Sequence, residues 1–277
     1  MNQLYGKCRS RVGGLFDVHK HMVLTCAIEQ LKLNTKSFHF IDAHAGAGLY
    51  DIDVETPTSV SVIGVADLLS ANKNEMTEKY IDIVKGVNSG LPLSKYPGSP
   101  MIARKLKRSM DSMSLIELNV DDYSELSGAF QSDLKVEVDH GSAFDRVLKH
   151  IPESGNEGLI LIDPDYIIDE DSADAANLVI QCKSKWPKAI IIVTLPVTGS
   201  AAKNRYVLSI LKDSGITGLT VSNIEFVDGE GESGTTISRI MVVNPIHDIK
   251  NTIESVLSQM VSTLPVSSKA KSRVEIA

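Results

Sequence analysis

Asp163-Pro164-Asp165-Tyr166 follows directly on the apolar run Gly158-Leu159-Ile160-Leu161-Ile162. A strand ending this way delivers a carboxylate, a backbone carbonyl and an aromatic face to the carboxyl edge of an open sheet, where α/β proteins bind ligands. That trio suits a planar amine. Asp163 and the Pro164 carbonyl can each accept one hydrogen of an exocyclic NH2, which leaves the nitrogen lone pair aimed outward while the Tyr166 ring stacks on the base. A base inside a folded nucleic acid reaches such a pocket only by flipping out, and stacking offsets part of that cost.

Upstream, His44-Ala45-Gly46-Ala47-Gly48 follows a second apolar stretch, Phe38 to Asp42. Gly46 and Gly48 carry no Cβ, so the backbone there can approach a ligand closely. Gly-x-Gly turns are common between strands and helices, and the loop gains weight only from the Asp-Pro-x-Tyr downstream. It lacks the third glycine of a dinucleotide fingerprint, since position 51 is Asp51. Glu117, near the end of another expected strand, is placed either to accept both ribose hydroxyls of a nucleoside or as an ordinary surface carboxylate. In Tyr96-Pro97-Gly98-Ser99-Pro100, Ser99 reads as a helix cap and Pro100 as the first helical residue, a start whose exposed amides favour an anion.

The elements that must position these residues alternate along the chain. Asp17 to Leu33 reads as a helix with a broad apolar face and Asp17 as its cap. Strands are expected at Phe38 to Asp42, Ser114 to Leu118, Lys135 to Asp139, Gly158 to Asp163 and Ala189 to Leu195. Helices are expected near Asp121 to Phe130, Ala143 to Ile151, Ser172 to Ser184 and Ala201 to Lys212. This rhythm is that of an α/β fold with a mostly parallel, doubly wound sheet. Leu219 to Phe226 and Ile237 to Asn244 read as a closing antiparallel pair, followed by a helix near Ile249 to Leu264. Two helices, Ser59 to Leu69 and Glu75 to Val87, form a helical insertion after the first core strand, at about residues 52–95. The whole chain, 1–277, reads as one domain, with a polar tail at about 267–277 expected to be mobile.

Composition bounds the rest. The 277 residues are 43% hydrophobic and 23% charged, enough for a full core. No run of about 18 apolar residues and no secretory signal is apparent, so a cytoplasmic protein without a membrane partner is expected. Cys8, Cys26 and Cys182 are too few and too scattered for a disulfide framework or a zinc site, and no metal is expected. With 28 Lys and Arg against 35 Asp and Glu, the net charge is −7, which disfavours nonspecific DNA binding. Basic clusters occur at Arg104-Lys105-Leu106-Lys107-Arg108, at Lys183, Lys185 and Lys188, and at Lys7, Arg9, Arg11 and Lys20. Each reads first as a solvated helix face.

The ordered set Asp17-Val18-His19-Lys20-His21, Ile41-Asp42-Ala43-His44-Ala45-Gly46-Ala47-Gly48, Tyr96-Pro97-Gly98-Ser99-Pro100, Ile116-Glu117-Leu118, Gly158 to Pro164 and Val242-Val243-Asn244-Pro245 resembles the RlmJ family. These are bacterial enzymes that methylate N6 of one adenine in 23S ribosomal RNA. The resemblance runs from about Tyr5 to Asn244. It implies a class I methyltransferase fold, S-adenosylmethionine as cofactor, and free or early-assembly 23S RNA as partner, a monomer being compatible with it. It further implies cofactor contacts from His21, His44, Gly46, Gly48, Ser99, Glu117, Ser142 and Asp163. Asp163, Pro164 and Tyr166 would carry catalysis, and Tyr5, Lys20 and Tyr166 would face substrate. The chain departs from the family where Asp165 stands in place of the second proline of Asp-Pro-Pro-Tyr. It departs again where Ser142 takes the place of an acidic residue near the cofactor adenine, with Asp139 three residues earlier as a substitute. A non-catalytic nucleic-acid-binding relative and a protein used in catabolism of external DNA remain as alternatives.

Overall fold

The computed structural model of the chain describes residues 12–52, 74–153, 155–164, 166, 170–195, 201–227, 235–246, 248–264 and 269–277. In chain order its elements are α1 (Leu15–Asn34), β1 (His39–Asp42), β2 (Leu49–Asp51), α2 (Glu75–Gly86), β3 (Lys95–Pro97), α3 (Ser99–Leu106), β4 (Ser112–Glu117), α4 (Val120–Phe130), β5 (Val136–His140), α5 (Ala143–Arg146) running into a 3-10 turn, β6 (Gly158–Ile162), α6 (Glu170–Lys185), β7 (Ala189–Leu195), α7 (Ala201–Asp213), β8 (Thr220–Val227), β9 (Thr235–Val243), α8 (Ile249–Thr263) and β10 (Lys271–Ile276).

The main sheet has the order β10-β8-β9-β7-β6-β1-β4-β5. β5, β4, β1, β6 and β7 run parallel, and β9, β8 and β10 are added antiparallel in turn. This is the Rossmann-like sheet of class I methyltransferases, as expected. From β1 the chain winds outward to β4 and β5, then returns to β6 on the other side. The carboxyl ends of β1 and β6 therefore flank the topological switch point, where a crevice opens. Parallel strands covered on both faces read as continuous apolar runs. β6, Gly-Leu-Ile-Leu-Ile, is buried throughout.

Helix α1 is apolar nearly all round, with Leu15, Val18, Met22, Val23, Leu24, Cys26, Ala27, Ile28 and Leu31 buried. Such a helix belongs inside a protein, and α1 lies between the sheet and α2, α3 and α8. Its N-cap is Gly14, not Asp17. Asp17 sits in the first turn, accepts the Gly13 amide at 3.1 Å, and is free to face the sheet edge. Likewise Gly98, not Ser99, caps α3. The expected helix over Ala143 to Ile151 is a single α turn that tightens to 3-10 over Val147–Lys149.

The tail differs from expectation. Residues 271–276 form β10, paired antiparallel with β8 from Lys271↔Glu225 to Ile276↔Thr220. The alternation of exposed Lys271 and Arg273 with buried Val274 is an edge-strand pattern too short to stand out in a polar segment. Of the two insertion helices, α2 is present, and Ser59 to Leu69 lies outside the described residues. No described helix is long and apolar enough to cross a membrane.

His19 fastens α1 to the sheet. Its ring lies fully buried between the hydroxyls of Ser238 and Ser222, each at 2.9 Å. Burial pushes its pKa down to about 3, so the folded chain keeps it neutral while the unfolded chain protonates it below about 6.5. Stability from this group is complete above that value and is lost as pH falls toward 3. Replacing His19 with Gln should reduce the loss of urea-unfolding free energy between pH 7 and 4.5 by about 2–3 kcal/mol. Equal losses in the two proteins would show that His19 does not couple folding to pH.

Candidate active site

The loop after β1 is pinned on both sides. The Ala43 amide donates to Leu161 O and the Ala45 amide to Ile116 O, both at 2.9 Å. Gly46 and Gly48 take φ of +60° and +80°, values that only glycine adopts without strain. A Cβ on Gly46 would lie 1.9 Å from the Tyr50 hydroxyl oxygen, which itself accepts the Ala47 amide at 3.1 Å. Gly48 O accepts the Gly98 amide at 2.8 Å, and the short antiparallel pair β2–β3 draws the Tyr96-to-Pro100 turn against the loop. Glu117 closes the far side: Oε2 accepts Gly46 N–H and Oε1 accepts Asn119 N–H, both at 2.7 Å. Each oxygen keeps a second lone pair for a ligand hydroxyl. Burial raises the Glu117 pKa, and the Asn119 and Gly46 amides oppose that rise.

Asp163 is held through both carboxylate oxygens. Lys20 Nζ donates to Oδ2 at 2.5 Å and lies 3.0 Å from Asp17 Oδ1, while the Thr194 hydroxyl donates to Oδ1 at 2.5 Å. Burial works against the Lys20 charge, but Asp163 and then Asp17 outweigh it and hold its pKa well above the ordinary value. The Asp163 amide donates to His44 Nδ1 at 3.2 Å, which places the His44 proton on Nε2. Tyr166, at φ +52°, turns back so that its hydroxyl donates to Thr194 O at 2.6 Å. Thr194 thus orients the carboxylate through its side chain and the aromatic ring through its carbonyl.

Two buried polar atoms in this region have no hydrogen-bond partner, His21 Nε2 and Asp42 Oδ2. Asp42 is fully buried at the end of β1. Its Oδ1 accepts the His44 amide at 3.3 Å. Burial raises its pKa to about 7 against the pull of the Ser99 hydroxyl, the Lys20 charge and the His44 amide. His21, fully buried, stacks on Tyr96 and meets its hydroxyl at 2.8 Å. Burial first, and the Lys20 charge second, lower its pKa well below the ordinary value. Buried polar atoms are normally paired, and two orphans beside a glycine cradle are what a ligand site leaves for its ligand.

A model of the family described as ribosomal RNA large subunit methyltransferase D, RlmJ, matches residues 35–276. The chain belongs to this family. It is 31% identical over 255 residues to ribosomal RNA large subunit methyltransferase J of Escherichia coli and 28% identical over 256 residues to the protein of that name from Haemophilus influenzae, each match covering 91% of both chains. The crystal structure of protein LPL1258 from Legionella pneumophila superposes with a TM-score of 0.84 at 25% identity, covering 96% of this chain and 98% of that one.

Against the RlmJ motifs, the structure gathers Lys20, His21, His44, Gly46, Gly48, Ser99, Glu117, Asp163, Pro164 and Tyr166 around the carboxyl ends of β1, β4 and β6. Ser142 caps α5 without a side-chain bond. Asp139 is taken up by His150 Nε2 at 3.0 Å and by Arg146 at 3.9 Å. Tyr5 and Asp165 lie outside the described residues. Lys20 serves Asp163 and Asp17 rather than standing at the surface. Most of the basic run at the end of α3 is spent internally, Lys105 alone standing exposed: Arg104 bonds Ala129 O, Arg104 and Lys107 face Asp133, and Arg108 grips Asp111 and the Lys32 and Thr35 carbonyls. Lys183 and Lys185 cap the carbonyls of Pro187 and Leu148, and Lys188 faces Glu157.

Asp17 and Asp42 lie within the motifs, which assign them no role in the site, and Thr194 lies outside them; all three carry parts of it. The spacing Asp17, Lys20, His21 was the available signal: polar and ionisable residues at i, i+3 and i+4 on an otherwise buried helix need partners. Replacing Thr194 with Val removes one hydrogen bond to Asp163 and keeps the carbonyl that holds Tyr166. If the site is catalytic, the turnover number should fall about tenfold to a hundredfold with little change in KM, the scale of one hydrogen bond to a charged group. An unchanged turnover number would show that Lys20 alone orients the carboxylate.

Proposed function

We infer that this chain uses S-adenosylmethionine to methylate N6 of one adenine in 23S ribosomal RNA, as a cytoplasmic enzyme. The observation that carries the reading is the doubly held Asp163 carboxylate beside the Pro164 carbonyl and Tyr166, next to the His44-to-Gly48 cradle at the switch point. The donor set suits that cofactor: Glu117 retains lone pairs for ribose hydroxyls, Asp42 Oδ2 fits an ammonium, and His21 Nε2 fits a polar group of the amino-acid end. When bound, the cofactor supplies a methyl group activated by its sulfonium.

The protein's own part is alignment. Asp163 and the Pro164 carbonyl accept the two N6 hydrogens, Tyr166 stacks on the flipped adenine, and the lone pair is left aimed in line with the methyl carbon. No covalent enzyme intermediate is involved. With the cofactor bound, the N6 lone pair would take the methyl from its sulfonium, and positive charge would grow on N6. The Asp163 hydrogen bond strengthens with it, and Lys20 and Thr194 keep the carboxylate in place. The N6 proton would pass to solvent water only after transfer has begun, so no strong base is required.

The test is transfer of radiolabelled methyl from S-adenosylmethionine to unmethylated 23S RNA and, in parallel, to single-stranded DNA, followed by nucleoside analysis. Labelled N6-methyladenosine from RNA alone is the expected result. Label in DNA alone would move the substrate to DNA. No transfer to either, with S-adenosylhomocysteine still bound, would make the chain a non-catalytic binder.

A further inference from the structure

His21 is not isolated within the core. Its Nδ1 meets the Tyr96 hydroxyl at 2.8 Å, and that hydroxyl meets the Tyr80 hydroxyl at 2.8 Å. All three side chains are buried, Tyr80 on α2 and Tyr96 on β3 at 0% exposure and His21 at 1%. The two tyrosines belong to the segment between β2 and α3: Tyr96 opens the Tyr96-to-Pro100 motif, and Tyr80 lies outside the motifs. They nevertheless form one continuous hydrogen-bond chain with an unpartnered ring nitrogen at its inner end.

The direction of this chain follows from counting protons. An imidazole nitrogen in a neutral ring is either a donor or an acceptor, and each hydroxyl has one proton to give. If the chain ran outward, His21 Nδ1–H would donate to Tyr96 and Tyr96 to Tyr80. The Tyr80 proton would then be buried without an acceptor, and His21 Nε2 would be a buried lone pair without a donor. If it runs inward, Tyr80 donates to Tyr96 and Tyr96 donates to His21 Nδ1. Every proton but one is then used within the protein, and that one is His21 Nε2–H. Leaving a buried donor unmatched is costly, so the inward direction is favoured, and its single unmatched donor is the one at the ligand site.

We propose that the Tyr80–Tyr96 hydroxyl relay fixes His21 as the Nε2–H tautomer, making it a hydrogen-bond donor to an anionic oxygen of the bound cofactor, its amino-acid carboxylate. This rests on the S-adenosylmethionine reading of the site. The carboxylate is the acceptor of choice because the cofactor's ammonium would demand an acceptor instead. Tyr80 and Tyr96 act through His21 and are positioning residues. They also couple α2 to the cofactor, because a shift of that helix breaks the first bond of the relay.

The test reads the tautomer directly. In protein labelled with 15N-histidine and free of ligand, long-range 1H–15N correlation of the imidazoles gives the protonated nitrogen of His21, assigned by the signal that disappears in His21→Gln. The expected pattern is a stable Nε2–H ring in the wild type and a mixed or Nδ1–H ring in Tyr96→Phe. S-adenosylhomocysteine affinity by calorimetry should fall about tenfold to a hundredfold in Tyr96→Phe, the scale of one charge-assisted hydrogen bond. Tyr80→Phe should lose less, because the Tyr96 hydroxyl can still donate to His21.

An Nδ1–H ring in the wild type would overturn the relay without recourse to any variant. So would a Tyr96→Phe protein whose tautomer and affinity are both unchanged. A wild-type protein with the Nε2–H ring that binds no S-adenosylhomocysteine would leave the relay standing and remove the cofactor reading.

Discussion

Replacing Asp163 with Ala should lower methyl transfer by about 10²–10³-fold or more, the cost, on the proposed mechanism, of losing the group that would align the amine and face its developing charge. S-adenosylhomocysteine affinity should change only a few-fold, because the cradle at Gly46 and Gly48, Glu117 and His21 remain. The same change strips Lys20 of its 2.5 Å partner and leaves that side chain, 13% exposed, with Asp17 alone. Breaking a largely buried pair from one side costs about 3–5 kcal/mol, so the Ala protein should also be measurably less stable. Asp163→Asn separates the two effects. Its amide oxygen can still accept from Lys20, so stability is largely kept. Its NH2 group, however, presents donors where the carboxylate presents only acceptors, so turnover should be lost as in Ala. Single-turnover kinetics, calorimetry and urea melts on the two variants check this. Wild-type turnover in Asp163→Asn would show that the carboxylate is not the group that holds the amine.

The parts of this arrangement that rest on local sequence pattern were legible in the sequence, and those that rest on long-range pairing were not. The strands are continuous apolar runs ended by Asp, Glu or glycine loops, and that pattern located β1, β4, β6 and β7 and the edge where Glu117, His44 and Asp163 gather. Asp17 illustrates the limit. Its type and place suggested a cap, yet the cap is Gly14 and Asp17 instead joins Lys20, a pairing set by the approach of Asp163 from a strand 143 residues further along. Thr194 reads as one more residue of an apolar strand, and only the neighbouring position of β7 beside β6 brings it to Asp163. β10 has the composition of a tail, and it becomes a strand because β8 offers an open edge. The basic clusters misled in the opposite sense. They read as solvated helix faces, and among the described residues the fold spends Arg104, Lys107, Arg108, Lys183, Lys185 and Lys188 on carbonyls and on Asp111, Asp133 and Glu157.

Asp42→Asn should make the protein more stable at pH 8 and a poorer binder of cofactor. Burial raises the Asp42 pKa from 3.8 to about 7, so between those values the folded chain holds a proton that the unfolded chain has released. Stability therefore falls as pH rises from about 4 to 7, by as much as about 4 kcal/mol, and stays lowered above that. An amide has no charge to desolvate, and its oxygen can keep the bond from the His44 amide. The variant should match the wild type near pH 4 and exceed it by about 2–4 kcal/mol at pH 8. Binding runs the other way. On the proposed reading, the carboxylate ionised above pH 7 would offer its otherwise unpartnered Oδ2 to the ammonium of the cofactor, a charge that the fold would give up stability to hold. S-adenosylhomocysteine affinity should rise for the wild type as pH passes through about 7, and stay flat over that range and about tenfold weaker at pH 8 for Asn. Urea melts and calorimetry across pH 4–8 measure both. Parallel stability curves for the two proteins would show that Asp42 is ionised throughout, and affinity curves that never diverge would place the ammonium elsewhere in the site.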